Sequence, residues 1–199
     1  PKLYKTFNSA LAAFGKPTWS LEKVKETLHY SGRETFPKIF GDKWKEALKI
    51  FYEDYASTLD DEVQALENAE NTLKLLAENE VKMAILSNKN GKYLRHEVKK
   101  IGWDKYFNNI VGAMDAVHDK PAKEAFTMAL DNIAFESSVH NLWFIGDTIV
   151  DLKCAKLNNC KPVLYGNEHN LTEHQLSEYP GLLKIANHLE LQAHLAKKF

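Results

Sequence analysis

Apolar residues recur at helical spacing over the first 60 residues, where no convincing strand is present. Side chains three or four positions apart share one face of a helix, so this spacing predicts amphipathic helices that pack on one another. Ser20 is placed to cap a helix that begins at Leu21, and Ser31 and Gly32 are expected to end that helix. The two clearest stripes are Leu3, Phe7, Leu11 and Phe14, and then Trp44, Leu48, Phe51 and Tyr55.

From about residue 65 the pattern changes to short apolar runs that alternate with helical stripes. Short, mostly apolar strands separated by helices are typical of a parallel sheet covered on both faces. We therefore predict an α/β fold, with one or two short helices in the tail after Leu171. The four predicted strands are Val81–Leu86, Asn109–Gly112, Leu142–Ile145 and Pro162–Tyr165.

The composition of the 199 residues narrows the class of protein. Lys and Arg number 26 and Asp and Glu number 27, so the net charge is -1 and nothing favours nucleic acid or an anionic lipid surface. No apolar run approaches the roughly 18 residues of a membrane span. The two cysteines, Cys154 and Cys160, are too few for a disulfide scaffold. We expect a soluble, cytoplasmic protein with reduced thiols, and its oligomeric state stays open.

Polar residues that suit phosphate chemistry follow three of the predicted elements. In open parallel sheets, ligands bind beyond the carboxyl ends of the strands, so these residues should meet on one rim. The hydroxyl of Ser87 and the amide of Asn88 can hold phosphoryl oxygens, and Lys120 can supply a positive charge. Asp147 can ligate Mg²⁺, and Asp151, one helical turn later, can act on a metal-bound water.

Three stretches in this order resemble the haloacid dehalogenase-like hydrolase superfamily, in particular its phosphoglycolate-phosphatase-like members with a helical cap. Ile85-Leu86-Ser87-Asn88-Lys89 is similar to the second motif of that superfamily, and Asp119-Lys120-Pro121 is similar to the third. Phe144-Ile145-Gly146-Asp147-Thr148-Ile149-Val150-Asp151 is similar to the fourth. The resemblance implies a Rossmann-like parallel sheet core made of residues 1–9 and 63–199, with an inserted all-α cap at residues 10–62.

The same resemblance implies roles for individual residues. Ser87 would bind phosphate together with Asn88, and Lys120 would orient the nucleophile and the phosphate. Asp147 would ligate Mg²⁺, with Asp151 close to the metal as a second catalytic group. Arg33 falls where capped relatives present a loop that contacts the substrate, so it is a candidate to pair with a substrate anion.

The first motif of the superfamily, a strand that ends in Asp-x-Asp-Gly-Thr and carries the nucleophile, has no counterpart here. Residues 1–41 contain no aspartate. We expect the chain to begin just downstream of its own nucleophile, so that the central strand, between those ending at Leu86 and Ile145, is missing. Its absence would leave a gap of two strand spacings, roughly 9–10 Å.

The sequence therefore favours a Mg²⁺-dependent phosphatase that acts on a small phosphorylated metabolite through an aspartyl-phosphate intermediate. A sugar-phosphate mutase or a phosphonate hydrolase with the same core stays open, and a dehalogenase would have little use for Asp147 and Asp151. A further alternative is a non-catalytic ligand-binding or regulatory domain that lost its nucleophile. The joint presence of Ser87, Lys120 and Asp147 weighs against that alternative.

Overall fold

The computed structural model describes residues 2–59, 63–134, 141–167 and 171–198. In those residues every strand pairing is parallel and helices pack on the strands, which confirms the predicted α/β fold. Strands β1 and β2 form one sheet, and β3, β4 and β5 form a second sheet in that order. The strands are β1 Ala84–Asn90, β2 Asn109–Ala113, β3 Trp143–Gly146, β4 Lys161–Tyr165 and β5 Leu183–Ile185.

Ten α-helices are present in the described part of the chain, together with two short 3₁₀ turns at Gly41–Lys43 and Asp104–Tyr106. None of these helices is long and apolar enough to cross a membrane. The α-helices are α1 Lys2–Ala13, α2 Leu21–Thr27, α3 Gly32–Phe40, α4 Trp44–Ala56, α5 Ala69–Glu78, α6 Gly91–Lys100, α7 Lys123–Ala129, α8 Ile149–Leu157, α9 Glu173–Ser177 and α10 His188–Leu195.

Most of these elements lie where periodicity predicted them. Ser20 caps α2 as expected, because its Oγ accepts a hydrogen bond of 3.3 Å from the backbone N–H of Lys23. Strand β1 differs, since it begins at Ala84 and continues through Ser87 and Asn88, which we expected in a loop. Strand β5 was missed, because three residues are too few to show an alternating pattern.

Helix α3 was also missed, and the physical reason lies in its packing. We expected Ser31 and Gly32 only to end the preceding helix, whereas Ser31 stands in extended conformation before the first turn of α3. Pro37 lies inside the helix and removes one backbone donor. The helix forms all the same, because its apolar residues Phe36 and Phe40 are buried in the core of the helical region.

The four N-terminal helices share an aromatic core that holds them together. Phe36 of α3 contacts Phe7 of α1 edge to face at 5.7 Å between ring centroids, and Phe51 of α4 at 5.4 Å. Helix α1 packs on α4, although we assigned residues 1–9 to the sheet domain and only residues 10–62 to the cap. The boundaries of the cap stay a prediction.

Replacing Phe36 with alanine is expected to lower the free energy of unfolding by about 3–5 kcal/mol. The ring is fully buried, so its removal leaves a cavity between three helices. Urea denaturation measures this loss, with Leu21→Ala as the control because Leu21 is 38% exposed. A loss below about 1 kcal/mol for Phe36→Ala would contradict this account of the core.

The sequence predicted that the central strand between β1 and β3 is absent, and these two strands belong to different sheets. Strands β1 and β3 each have a hydrogen-bonded neighbour on one side only, among the residues described. Neither strand contains a fully buried residue, whereas β2 and β4 both do. The inner strands of a parallel sheet are normally its most buried ones, so β1 and β3, each with one neighbour, are less covered than inner strands would be.

Candidate active site

Five of the six residues predicted for the site line one cavity of about 1030 Å³. The cavity lies at the carboxyl ends of β1 and β3, and helices α2, α3 and α4 contribute other parts of its wall. The five residues are Ser87, Asn88, Lys120, Asp147 and Asp151. The structure therefore brings these five side chains together where the strands end, and their roles at this site stay predictions.

A buried ion pair between Lys120 and Asp151 forms the centre of this cluster. The Nζ atom of Lys120 donates to Oδ1 of Asp151 at 2.6 Å, and the two side chains are only 10% and 6% exposed. The same Nζ atom lies 3.5 Å from the carbonyl oxygen of Leu86 on β1. Lys120 thus links β1 to helix α8, which packs on β3 and β4 of the second sheet.

Asp151 is held from its other side by the start of helix α8. Its Oδ2 accepts from the backbone N–H of Thr148 at 2.9 Å and from the Thr148 hydroxyl at 2.6 Å. A Cβ atom on Gly146 would lie 2.2 Å from Cγ of Asp151, so only glycine fits beneath this carboxylate. Both oxygens of Asp151 are therefore engaged, and its expected action on a metal-bound water stays a prediction.

Ser87 and Asn88 lie on an irregular part of β1. The pairing with β2 passes from Leu86 opposite Val111 directly to Asn90 opposite Ala113, so the residues between them leave the regular ladder. Bulges of this kind often occur beside active sites, where they redirect side chains. Here the irregularity accompanies the placement of Ser87 and Asn88 on the cavity wall.

The side chains of Ser87 and Asn88 differ in which hydrogen-bond donors and acceptors they leave free for a ligand. The Oγ of Ser87 accepts from the backbone N–H of Lys89 at 3.2 Å, so its own hydroxyl proton stays available for a ligand. The amide of Asn88 donates to the carbonyl oxygens of His29 and Lys120, both at 3.0 Å. Its Oδ1 is buried and has no partner among the described residues. The role of Asn88 in phosphate binding therefore stays a prediction, whereas its link between His29 and Lys120 is visible.

Asp147 follows β3 directly and its side chain is exposed. Within the described residues it has no ion pair or side-chain hydrogen bond, so its carboxylate is free for a ligand. No group of three or more His, Cys, Asp or Glu side chains in the described ranges could enclose a metal ion. One free carboxylate at the mouth of the cavity still fits Mg²⁺, since this ion is usually held by one or two carboxylates with water and phosphate oxygens.

Arg33 lies outside the cavity wall and is already paired. It stands in the first turn of α3, and its guanidinium group binds the carboxylate of Asp119. Its expected contact with a substrate anion stays a prediction, and in this structure the charge of Arg33 is balanced by Asp119. Asp119 was not singled out from the sequence, where only its position before Lys120 pointed to it.

A third buried carboxylate, Glu97, joins the N-terminal helices α1–α4 to the sheets and the helices that pack on them. Tyr55 of α4 donates to Oε1 of Glu97 at 2.6 Å, and Lys89 of β1 pairs with the other oxygen. Burial favours a higher pKa of Glu97, but the hydrogen bonds from Lys89 and Tyr55 outweigh it and lower that pKa. Burial, and then the bond to Glu97, raises the pKa of Tyr55. No sequence pattern indicated this contact.

Comparison with known proteins adds independent evidence. A model of the haloacid dehalogenase-like hydrolase family matches residues 1–165. Phosphoglycolate phosphatase 1 of Pseudomonas aeruginosa is 27% identical over 183 residues, which are 85% of this chain and 65% of that protein. A phosphoglycolate phosphatase of Yersinia pestis is 24% identical over 192 residues, which are 90% of this chain and 80% of that protein.

A solved structure shows the same fold. A haloacid dehalogenase-like family hydrolase from Streptococcus pneumoniae matches with a TM-score of 0.80 at 17% identity, covering 98% of this chain and 90% of that chain. Because the chain covers less than two thirds of the Pseudomonas protein, the similarity concerns a large part of that relative rather than all of it.

Proposed function

The chain belongs to the haloacid dehalogenase-like hydrolase family, and we propose that it performs the Mg²⁺-dependent hydrolysis of a small phosphomonoester through an aspartyl-phosphate intermediate. The observation that carries this proposal is the buried ion pair of Lys120 and Asp151, placed between Ser87 and Asp147 in one cavity. A buried ammonium group held at a strand edge is suited to stabilise the negative charge of a phosphoryl group during transfer.

In the proposed reaction an aspartate carboxylate attacks phosphorus, the ester P–O bond breaks, and the departing alkoxide takes up a proton from solvent water. Water then hydrolyses the aspartyl phosphate and releases inorganic phosphate. Lys120 has three N–H donors, of which two point to Asp151 and Leu86, so one is left for a phosphoryl oxygen. The hydroxyl group of Ser87 on β1 supplies a further donor to the phosphoryl group.

Asp147 is the residue that would hold the metal ion. When bound there, Mg²⁺ would neutralise charge on the phosphoryl oxygens. Asp147 is suited to this role because its carboxylate is exposed and follows the end of β3 directly. The charge of the second carboxylate in the cavity, Asp151, is already balanced by Lys120.

The attacking carboxylate is proposed to come from outside the 199 residues. Asp147 and Asp151 are the two carboxylates among the described residues of the cavity wall, and each has another role. In the part of the chain described, β1 and β3 each have one unpaired edge, and the residues at their carboxyl ends line the same cavity. A further strand placed there would complete one continuous sheet and bring a residue at its carboxyl end beside Lys120.

The substrate is proposed to be a small phosphorylated metabolite. Because the two relatives above are named phosphoglycolate phosphatases, 2-phosphoglycolate is the first compound to test. A cytoplasmic location is part of the same proposal and rests on composition alone.

A protein that carries the proposed additional strand upstream of these 199 residues, called the full-length protein below, is expected to hydrolyse p-nitrophenyl phosphate with Mg²⁺ and to lose this activity on chelation. Asp147→Asn should lower kcat by about 10²-fold, because it removes the charge that would hold the metal. The matched control is Asp104→Asn, since Asp104 is an exposed aspartate that does not line the cavity. Measured release of inorganic phosphate decides the result.

The 199 residues alone should show no turnover above background in the same assay, because they lack the proposed nucleophile. Turnover by a preparation of verified length, lost on Asp147→Asn, would show that the nucleophile lies within the chain. That result would refute this part of the proposal and leave the phosphatase assignment standing.

A further inference from the structure

The carboxylate of Asp119 is the main contact between helix α3 and the loop that carries Lys120. Arg33 donates from Nε to Oδ2 at 2.6 Å and from Nη2 to Oδ1, so the contact is bidentate. The same Nη2 also donates to the carbonyl oxygen of Ala116 at 2.7 Å. Asp119 is 2% exposed and the Arg33 side chain 26%, so the pair is well shielded from solvent on the carboxylate side.

Asp119 also binds the backbone of its own loop. Its Oδ1 accepts from the backbone N–H of Met114 at 2.8 Å, across the turn that follows β2. Met114 has a φ of 73°, a left-handed conformation that is unfavourable for a residue with a side chain. A strained residue of this kind persists when surrounding contacts hold it, and here the carboxylate of Asp119 is such a contact.

The backbone of Lys120 itself has a second link to the helical region. Asn88 donates one hydrogen bond to the carbonyl oxygen of Lys120 and another to that of His29, in the segment between α2 and α3. The side chain of Asp119 and the carbonyl group of Lys120 are therefore both tied to the helices that form the cavity wall. Beyond this loop, the Nζ of Lys120 reaches Asp151.

We propose that Arg33 and Asp119 are positioning residues through which the helical region sets the location of Lys120 in the catalytic cavity. The inference rests on the proposed function and extends it, because neither side chain lines the cavity or needs to contact the substrate. If the helices move away, Asp119 loses its counter-ion and the loop of Lys120 loses its anchor. The position of Lys120, and with it the rate of the chemical step, then depends on how helix α3 packs against the loop that carries this lysine.

The test is a double-mutant cycle in the full-length protein with Arg33→Ala, Asp119→Asn and the combination of both. Each single change should lower kcat by about tenfold or more, because a small displacement of Lys120 weakens transition-state stabilisation. KM should change by less than about threefold, since ground-state binding does not use the pair. The double variant should be no slower than the slower single variant, because one interaction is lost in all three. Arg33→Lys should restore only part of kcat, because lysine cannot bind a carboxylate bidentately.

Arg95 and Asp115 provide the matched control. Arg95 binds Asp115 in the same loop through two N–H···O bonds, but both residues belong to the sheet domain. Arg95→Ala should leave kcat within about twofold of the parent value, since it does not break the link to the helices. An equal fall of kcat in Arg95→Ala would overturn the inference, because general loosening of the loop would then explain the loss of activity without any link to the helices.

Hydrogen exchange of the same variants, followed by mass spectrometry, provides a readout that does not depend on activity. Exchange of backbone amides in residues 114–121 should accelerate in Arg33→Ala and Asp119→Asn and stay unchanged at α8.

A parent protein without phosphatase activity, combined with this exchange pattern, would refute the proposed function but not the coupling. An active parent whose two variants show unchanged kcat and exchange would refute the coupling alone. A rise of KM in Arg33→Ala with unchanged kcat, and no effect of Asp119→Asn, would instead assign Arg33 to direct substrate binding.

Discussion

Lys120→Met is expected to lower kcat of the full-length protein by about 10²–10³-fold. The buried ammonium group of Lys120 contacts Leu86 of β1 and Asp151 in the first turn of α8, and methionine keeps much of the side-chain volume without the charge. The same change leaves Asp151 with one oxygen unpaired at 5% exposure. Breaking a buried ion pair on one side costs about 3–5 kcal/mol, so the free energy of unfolding should fall as well.

The double variant Lys120→Met with Asp151→Asn separates these two effects. Removing both charges should recover much of the lost stability, because no buried charge is left unpaired, while kcat stays low. Lys123→Met is the matched control, since Lys123 is an exposed lysine three positions further on. Recovery of kcat in the double variant would contradict a direct role of the Lys120 charge. Urea denaturation and phosphate release are measured on the same preparations.

Gly146→Ala is expected to lower kcat by about 10²-fold although it adds a single methyl group. The new Cβ atom would lie 2.2 Å from Cγ and 2.5 Å from Cβ of Asp151, distances that real structures do not tolerate. Asp151 must therefore move, and Lys120 loses its 2.6 Å partner. Overpacking of this kind also costs about 1–3 kcal/mol of stability, which urea denaturation would detect.

Gly15→Ala separates this clash from ordinary backbone strain. Gly15 has a φ of 64° and open space where a Cβ atom would lie, so alanine there suffers strain without a clash. It should cost roughly 1–2 kcal/mol of stability and leave kcat unchanged. If Gly146→Ala behaved in the same way, the position of Asp151 would not matter for the reaction.

Local patterns predicted most elements of this fold because each buries one face. The stripes of α1 and α4, and the apolar runs that became β2 and β4, are long enough to show their period. Helix α3 escaped prediction because Gly32 and Pro37 disfavour a helix locally, while aromatic packing against α1 and α4 stabilises it. Helix propensity depends on the local sequence, whereas this packing depends on residues that are distant along the chain.

The candidate site was predictable to the same extent and for a related reason. Parallel strands joined by helices end at one edge of their sheet, so the order of the motifs was enough to place Ser87, Lys120 and Asp147 around one cavity. The separation of β1 from β3 also followed from the order of the motifs, since the strand expected between them had no counterpart in the chain.

By itself, the sequence determined most of the elements, their order, and the edge of the sheet at which polar side chains gather. Only the tertiary structure decided which polar side chains pair: Lys120 with Asp151, Tyr55 with Glu97, and Arg33 with Asp119 across 86 positions. A hydrophobic period indicates that one face of an element is buried, but it does not indicate which side chain of another segment will contact that face. Pairs of buried charges depend on angstrom-scale approach between distant segments, and the packing of the whole chain sets that approach.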